Sequence, residues 1–118
     1  LLWSCHLNLV RGEDSWIRAH WAARPFVWQP YPQTGRAHLE KLEAFLRRFA
    51  AGGQPPDAAA AMMRAWNGEG SLSDAWAAFA GALVSGDATA AGYRRWCDRL
   101  AGQTDLCTAL LEFCRNRL

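Results

Sequence analysis

The sequence predicts an α/β fold in which short parallel strands are followed by several α-helices. Three observations predict it. Leu7–Val10 and Phe26–Gln29 are short runs of strand formers that bracket one helix's length of chain. From Leu39 onward apolar residues recur at helical spacing. Glycine, proline and asparagine clusters punctuate those stripes. A strand-helix-strand unit implies a right-handed parallel crossover, as in nucleotide-binding sheets.

In order, Leu1 to Cys5 reads as the tail of a helix or an approach segment. Leu7, Leu9 and Val10 form a strand with little polar interruption, the pattern of a parallel strand covered on both faces. Gly12 permits a tight reversal. A helix then starts at Asp14 or Ser15, both N-cap residue types, and runs to Ala23 with Trp16, Ala19 and Ala23 facing the core. Pro25 ends it and opens the second strand.

Beyond Pro32 everything reads as helix. Leu39, Leu42, Phe45, Leu46 and Phe49 make one stripe, closed by Gly52-Gly53-Gln54-Pro55-Pro56. Asp57 opens the next helix, with Ala58, Ala61, Met62, Ala65 and Trp66 on one face until Asn67-Gly68-Glu69-Gly70. Ser71 with Asp74 resembles a capping box ahead of Leu72, Trp76, Phe79 and Leu83. Asp87 and Thr104 are expected to cap two last helices. Their stripes are Ala88, Ala91, Trp96, Cys97 and Leu100, then Leu106, Leu110, Phe113 and Cys114.

Composition narrows the function. At 118 residues the chain is one compact unit at most, and 51% hydrophobic residues with seven tryptophans argue against disorder. A net charge of +2, from 13 basic and 11 acidic residues, carries no nucleic-acid footprint. No run of about 18 apolar residues suggests a membrane span. The four cysteines lack the close pairing of a secreted disulfide framework, which fits a reducing cytoplasm. The chain opens at Leu1 inside an apolar stretch without an initiator methionine, and it is read as a C-terminal fragment of something longer.

The candidate site is Arg11-Gly12-Glu13-Asp14-Ser15. A strand-loop-helix corner presents free backbone N–H groups at the positive end of a helix dipole, a natural seat for a phosphate or diphosphate, with Arg11 beside them. A plain helix cap flanked by solvated charges accounts for the same residues equally well. The corner matches neither the phosphate-loop nor the dinucleotide glycine pattern. Because ligands of parallel sheets sit outside the carboxyl ends of the strands, Arg11–Ser15 and Gln29–Gln33 are expected to face one crevice. Elsewhere, Cys97, Cys107 and Cys114 read as core residues and His20 as solvent-exposed. His6, His20 and His38 lack metal-ligand spacing. Trp28 is the one tryptophan placed near the ligand edge, while Arg47-Arg48 and Arg94-Arg95 read as solvated helix faces.

Leu-Leu-Trp at 1–3, Leu7-Asn8, Val10-Arg11-Gly12-Glu13-Asp14-Ser15, Arg18-Ala19, Trp21-Ala22, Pro25 to Gln29 and Tyr31-Pro32-Gln33 together resemble one family, the elongation factor P arginine rhamnosyltransferases, or EarP. His38-Leu39, Lys41-Leu42 and Ala44-Phe45-Leu46 are similar to that family's next helix.

The resemblance implies the C-terminal part of a GT-B Rossmann-like lobe, the nucleotide-sugar donor lobe, spanning 1–118 without its N-terminal partner lobe. It implies transfer of L-rhamnose from dTDP-β-L-rhamnose to an arginine of elongation factor P, with inversion and without a metal or other cofactor. By motif, Arg11 would contact the diphosphate, Asp14 and Ser15 the nucleotide sugar, and Glu13 the reacting sugar or acceptor arginine as the catalytic position. Tyr31 and Gln33 would line the site.

Three departures stand out: His6 where the family usually has Asp, Pro30 in place of a usual Ile, and no N-terminal glycine-rich loop with its catalytic aspartates. The thymine-holding aromatics are missing too, so the fragment alone is expected to be inactive. A noncatalytic helical interaction module that keeps a relic of the corner is the alternative, and an α/β domain without a ligand the simplest reading.

Overall fold

The computed structural model describes residues 1–53 and 57–117, so the expected stop at Gln54-Pro55-Pro56 lies outside the described residues. The order is β1 (Asn8–Arg11), α1 (Gly12–Ala22), β2 (Phe26–Gln29), a 3-10 turn (Thr34–Arg36), α2 (Ala37–Gly53), α3 (Asp57–Trp66), α4 (Leu72–Val84), α5 (Asp87–Ala101) and α6 (Leu106–Arg115). The α/β expectation holds, weighted strongly towards helix. The segment before β1 is a turn rather than a helix tail, with the Ser4 N–H donating to the Leu1 carbonyl at 3.1 Å.

β1 and β2 pair in parallel, Asn8 opposite Phe26 through Arg11 opposite Gln29. Both strands therefore end on the same edge. β2 is buried along Phe26, Val27 and Trp28. β1 is not covered on both faces as its composition suggests: Asn8 and Val10 point inward, whereas Leu9 is 54% exposed. Leu9 instead lines an open apolar hollow of about 540 Å³ with Met62, Trp66, Leu72 and Trp76. Asn8, the polar residue on the inward face, donates from Nδ2 to the Leu2 carbonyl at 3.0 Å, which satisfies its amide inside the fold.

The core is aromatic. The Phe49 ring lies 5.0 Å from Tyr93 and 5.3 Å from Trp96, so α2 and α5 meet through it. Phe26 of β2 stacks on Phe49 at 6.3 Å. The α2 stripe holds for Leu42, Phe45, Leu46 and Phe49, which are buried, while Leu39 at its start is only half-buried. Two facing residues of α5 carry polar handles that reach acceptors. The Tyr93 hydroxyl donates to the Phe26 carbonyl at 2.7 Å, and Trp96 Nε1 donates to His20 Nδ1 at 2.9 Å. Burial pushes the Tyr93 phenol well above its usual range.

Several expected faces are rotated. In α3 the buried residues are Ala59, Met62, Met63 and Ala65, while Ala61 is exposed. In α4 only Phe79 is fully buried, with Leu83 packed against the core and Leu72 and Trp76 about half exposed. In α5 the buried positions include Thr89 and Tyr93. α6 buries nothing, so Leu106, Leu110, Phe113, Cys107 and Cys114 all face outward.

Two of the later caps shift by one residue. Ser71 caps α4 as expected, accepting from the Asp74 N–H. α5 has Gly86 at its N-cap, and α6 has Asp105, whose carboxylate accepts from the Thr108 N–H at 3.0 Å. No described helix is long and apolar enough to cross a membrane.

Candidate functional site

The site is the edge where both strands end. β1 finishes at Arg11, and Gly12 at once opens α1 with φ of 73°, a left-handed value that favours glycine. A side chain here would also strike the Tyr31 ring, since a Cβ on Gly12 would lie 2.4 Å from Tyr31 Cε2. The turn itself favours Gly12, and any side chain there would have to push the exposed Tyr31 ring aside. Trp28 Nε1 donates to the Gly12 carbonyl at 2.9 Å and holds the corner from below.

The two loops converge as the parallel order predicts. Pro30 is fully buried directly after β2 ends at Gln29, and its missing N–H suits a strand end. Tyr31 then reaches back over Gly12, and the Arg11 guanidinium carbon lies 5.5 Å from its ring centroid, within cation–π range. Asn67 Nδ2, donating to the Trp28 carbonyl at 2.9 Å, ties the end of β2 to the end of α3.

Asp14 and Ser15 are not caps. The helix begins at Gly12 because the glycine turn hands the chain directly from strand to helix, and Arg11 occupies the N-cap in extended conformation without a side-chain cap bond. Ser15 Oγ instead donates back to the Arg11 carbonyl at 2.6 Å. Asp14 pairs with Arg18 at 3.2 Å along the helix flank. The first-turn N–H groups of α1 therefore have no side-chain cap, and Glu13 and Asp14 put acidic charge near them. The reading of the corner as a plain capped helix loses its caps.

Of the six residues singled out from sequence, Arg11, Tyr31 and Ser15 meet at this edge, while Glu13 and Asp14, in the first turn of α1, pair with Lys41 and Arg18. Gln33 is joined to its surroundings through its backbone, whose N–H donates to His38 Nδ1 at 3.2 Å. No described contact brings its side chain to the corner.

Trp28 is no ligand platform. It is fully buried and stacks on Trp16 at 4.1 Å, because β2 is covered on both faces. His20 is likewise buried rather than solvated, 8% exposed between Trp16, Phe26, Phe45 and Trp96. Burial lowers its pKa to about 4, so the ring is neutral and its Nδ1 lone pair serves Trp96.

Lys41 is the contributor that sequence reasoning missed. From α2 its Nζ reaches Glu13 Oε1 at 3.0 Å. It sits on the polar side of the α2 stripe, where nothing in the local pattern distinguishes it from an ordinary surface lysine. Among the described residues no group of three His, Cys, Asp or Glu side chains is placed to hold a metal ion.

Comparison with known proteins settles the family. The family model described as Elongation-Factor P (EF-P) rhamnosyltransferase EarP matches residues 1–115. The chain belongs to the EarP family. It is 46% identical over 121 residues to a protein-arginine rhamnosyltransferase of Pseudomonas putida, covering 100% of this chain and 31% of that protein. A protein of the same name from Pseudomonas aeruginosa is 43% identical over 116 residues, covering 96% of this chain and 30% of its own length. A solved structure described as the structural basis for EarP-mediated arginine glycosylation of translation elongation factor EF-P superposes with a TM-score of 0.74 at 42% identity. It covers 99% of this chain and 36% of that one. The chain thus spans about a third of the length of these EarP relatives.

Proposed function

We propose that this chain supplies the donor-binding side of a protein-arginine rhamnosyltransferase. The full-length enzyme moves L-rhamnose from dTDP-β-L-rhamnose to an arginine of elongation factor P, with inversion and without a metal, in the compartment where that factor works, the cytoplasm. The segment is the C-terminal part of a GT-B donor lobe.

One observation carries this reading. In a chain of the EarP family, Arg11 and Tyr31 meet across Gly12 at the carboxyl edge of two parallel strands, beside the uncapped first turn of a helix. Ligands of parallel sheets bind at that edge. Uncapped helix N–H groups and a guanidinium are the donors that a diphosphate needs.

In this reading Arg11 and the first-turn amides of α1 take the diphosphate. As the glycosidic bond breaks, negative charge grows on the leaving diphosphate, and fixed donors stabilise it more than they stabilise the bound donor. Asp14 and Ser15 contact the nucleotide sugar, Tyr31 and Gln33 line its seat, and Glu13 faces the reacting sugar or the acceptor arginine.

The test is Arg11→Ala in the full-length enzyme carrying this segment. Calorimetry should show dTDP and dTDP-rhamnose binding weakened together by about 1.5–3 kcal/mol, the scale of hydrogen bonds to charged groups. Arg11→Lys should recover only part, because a point ammonium does not reproduce a planar pair of donors. Unchanged dTDP affinity in Arg11→Ala would remove the diphosphate role.

A further inference from the structure

We infer that Lys41 is a positioning residue for Glu13: it holds the carboxylate in one orientation at the edge of the donor site, and turnover depends on it. The inference rests on the placement of Glu13 at the reacting face proposed above.

Glu13 belongs to the first turn of α1, where the helix dipole favours its charge but leaves its direction open. Its side chain is long, and without a partner it samples several rotamers. Lys41 Nζ takes Oε1 at 3.0 Å across 28 residues of chain. Among the described residues no second contact takes Oε2, which leaves that oxygen for a substrate group.

The tether is rigid at its far end. Lys41 adjoins Leu42, which is 1% exposed, and α2 is seated in the aromatic core through Phe45 and Phe49. Both side chains of the pair are about half shielded, 42% and 46% exposed. An ion pair at that exposure contributes little to folding. Its effect is therefore expected in the geometry of the carboxylate rather than in the stability of the fold.

The experiment is a cycle in the full-length enzyme carrying this segment: Lys41→Met, Lys41→Arg, Glu13→Gln and the double variant Glu13→Gln/Lys41→Met. Steady-state rhamnosylation rates and dTDP calorimetry are measured on each. Lys41→Met should lower kcat about fivefold, the upper range for a part-exposed ion pair, with dTDP affinity and melting temperature nearly unchanged. Lys41→Arg should restore most of the rate, since one charged N–H donor suffices. The double variant should be no slower than Glu13→Gln, because Lys41 acts only through Glu13.

Losses that simply multiply in the double variant would show Lys41 acting elsewhere and overturn the inference. Equally fatal is an unchanged kcat in Lys41→Met while Glu13→Gln is slow, and that result leaves the placement of Glu13 intact. If Glu13→Gln itself keeps full turnover, the role given to Glu13 falls, and the role of Lys41 falls with it.

Discussion

α5 and α6 follow one another in the chain and are both amphipathic, yet one is seated and the other is bare. α5 buries Thr89, Tyr93 and Trp96, and its phenol and indole donors find the Phe26 carbonyl and His20. α6 has Leu106, Leu110, Leu111 and Phe113, all more than half exposed, and no buried residue. An apolar stripe specifies that a helix has an inward face, but it does not name the partner. Tyr93 and Trp96 add directional bonds, whose buried acceptors sit at one place only.

The contrast is tested first at the seat of α5. Phe49 is fully buried between Tyr93 and Trp96, so Phe49→Ala should cost about 3–5 kcal/mol in denaturant unfolding. A loss under about 1 kcal/mol would show that α5 does not depend on this contact.

His20 makes the same seat sensitive to pH. Its pKa is lowered by burial to about 4, so the unfolded chain takes up the proton first. The contribution is complete above the ordinary value of about 6.5, declines as pH falls through the window down to about 4, and is constant below it. The whole swing is on the order of 3 kcal/mol. Unfolding curves between pH 7 and 5 should show a decline that His20→Gln flattens. Equal slopes for the two proteins would mean that the ring does not stay neutral in the fold.

Tyr93→Phe removes one donor and leaves the Phe26 carbonyl without it, at about 1–3 kcal/mol. No change in the unfolding midpoint would mean that this hydroxyl does not anchor α5.

The smallest effect is expected on α6. Leu110→Ala should change the stability of the 118-residue chain by less than about 0.5 kcal/mol, as for a surface position. A loss as large as that at Phe49 would show that the α6 face is covered, and the contrast between the two helices would disappear.

Much of the site was legible from local sequence. Gly12 between a strand run and a helix start announces the corner, and Pro25 and Pro30 bracket β2 at its observed limits. The parallel order of the strands followed from their spacing, and with it the meeting of both loops at one edge. The capping role read for Asp14 and Ser15 was misplaced because the glycine turn starts the helix earlier, at Gly12, which puts both residues inside its first turns. There Ser15 bonds back to Arg11 and Asp14 pairs with Arg18.

By itself the sequence determined the element types and their order, the glycine corner with its charged residues, and the α2 stripe. These depend on near-neighbour sterics, periodicity and backbone chemistry, all local in the chain. Only the tertiary structure decided that Leu9 faces outward, that His20 and Trp28 are interior, that α6 stays bare, and that Lys41 reaches Glu13. Each of these depends on which distant surface arrives opposite a residue. A local pattern records a side chain's preference for water or for core, and it carries no record of the partner that long-range packing delivers.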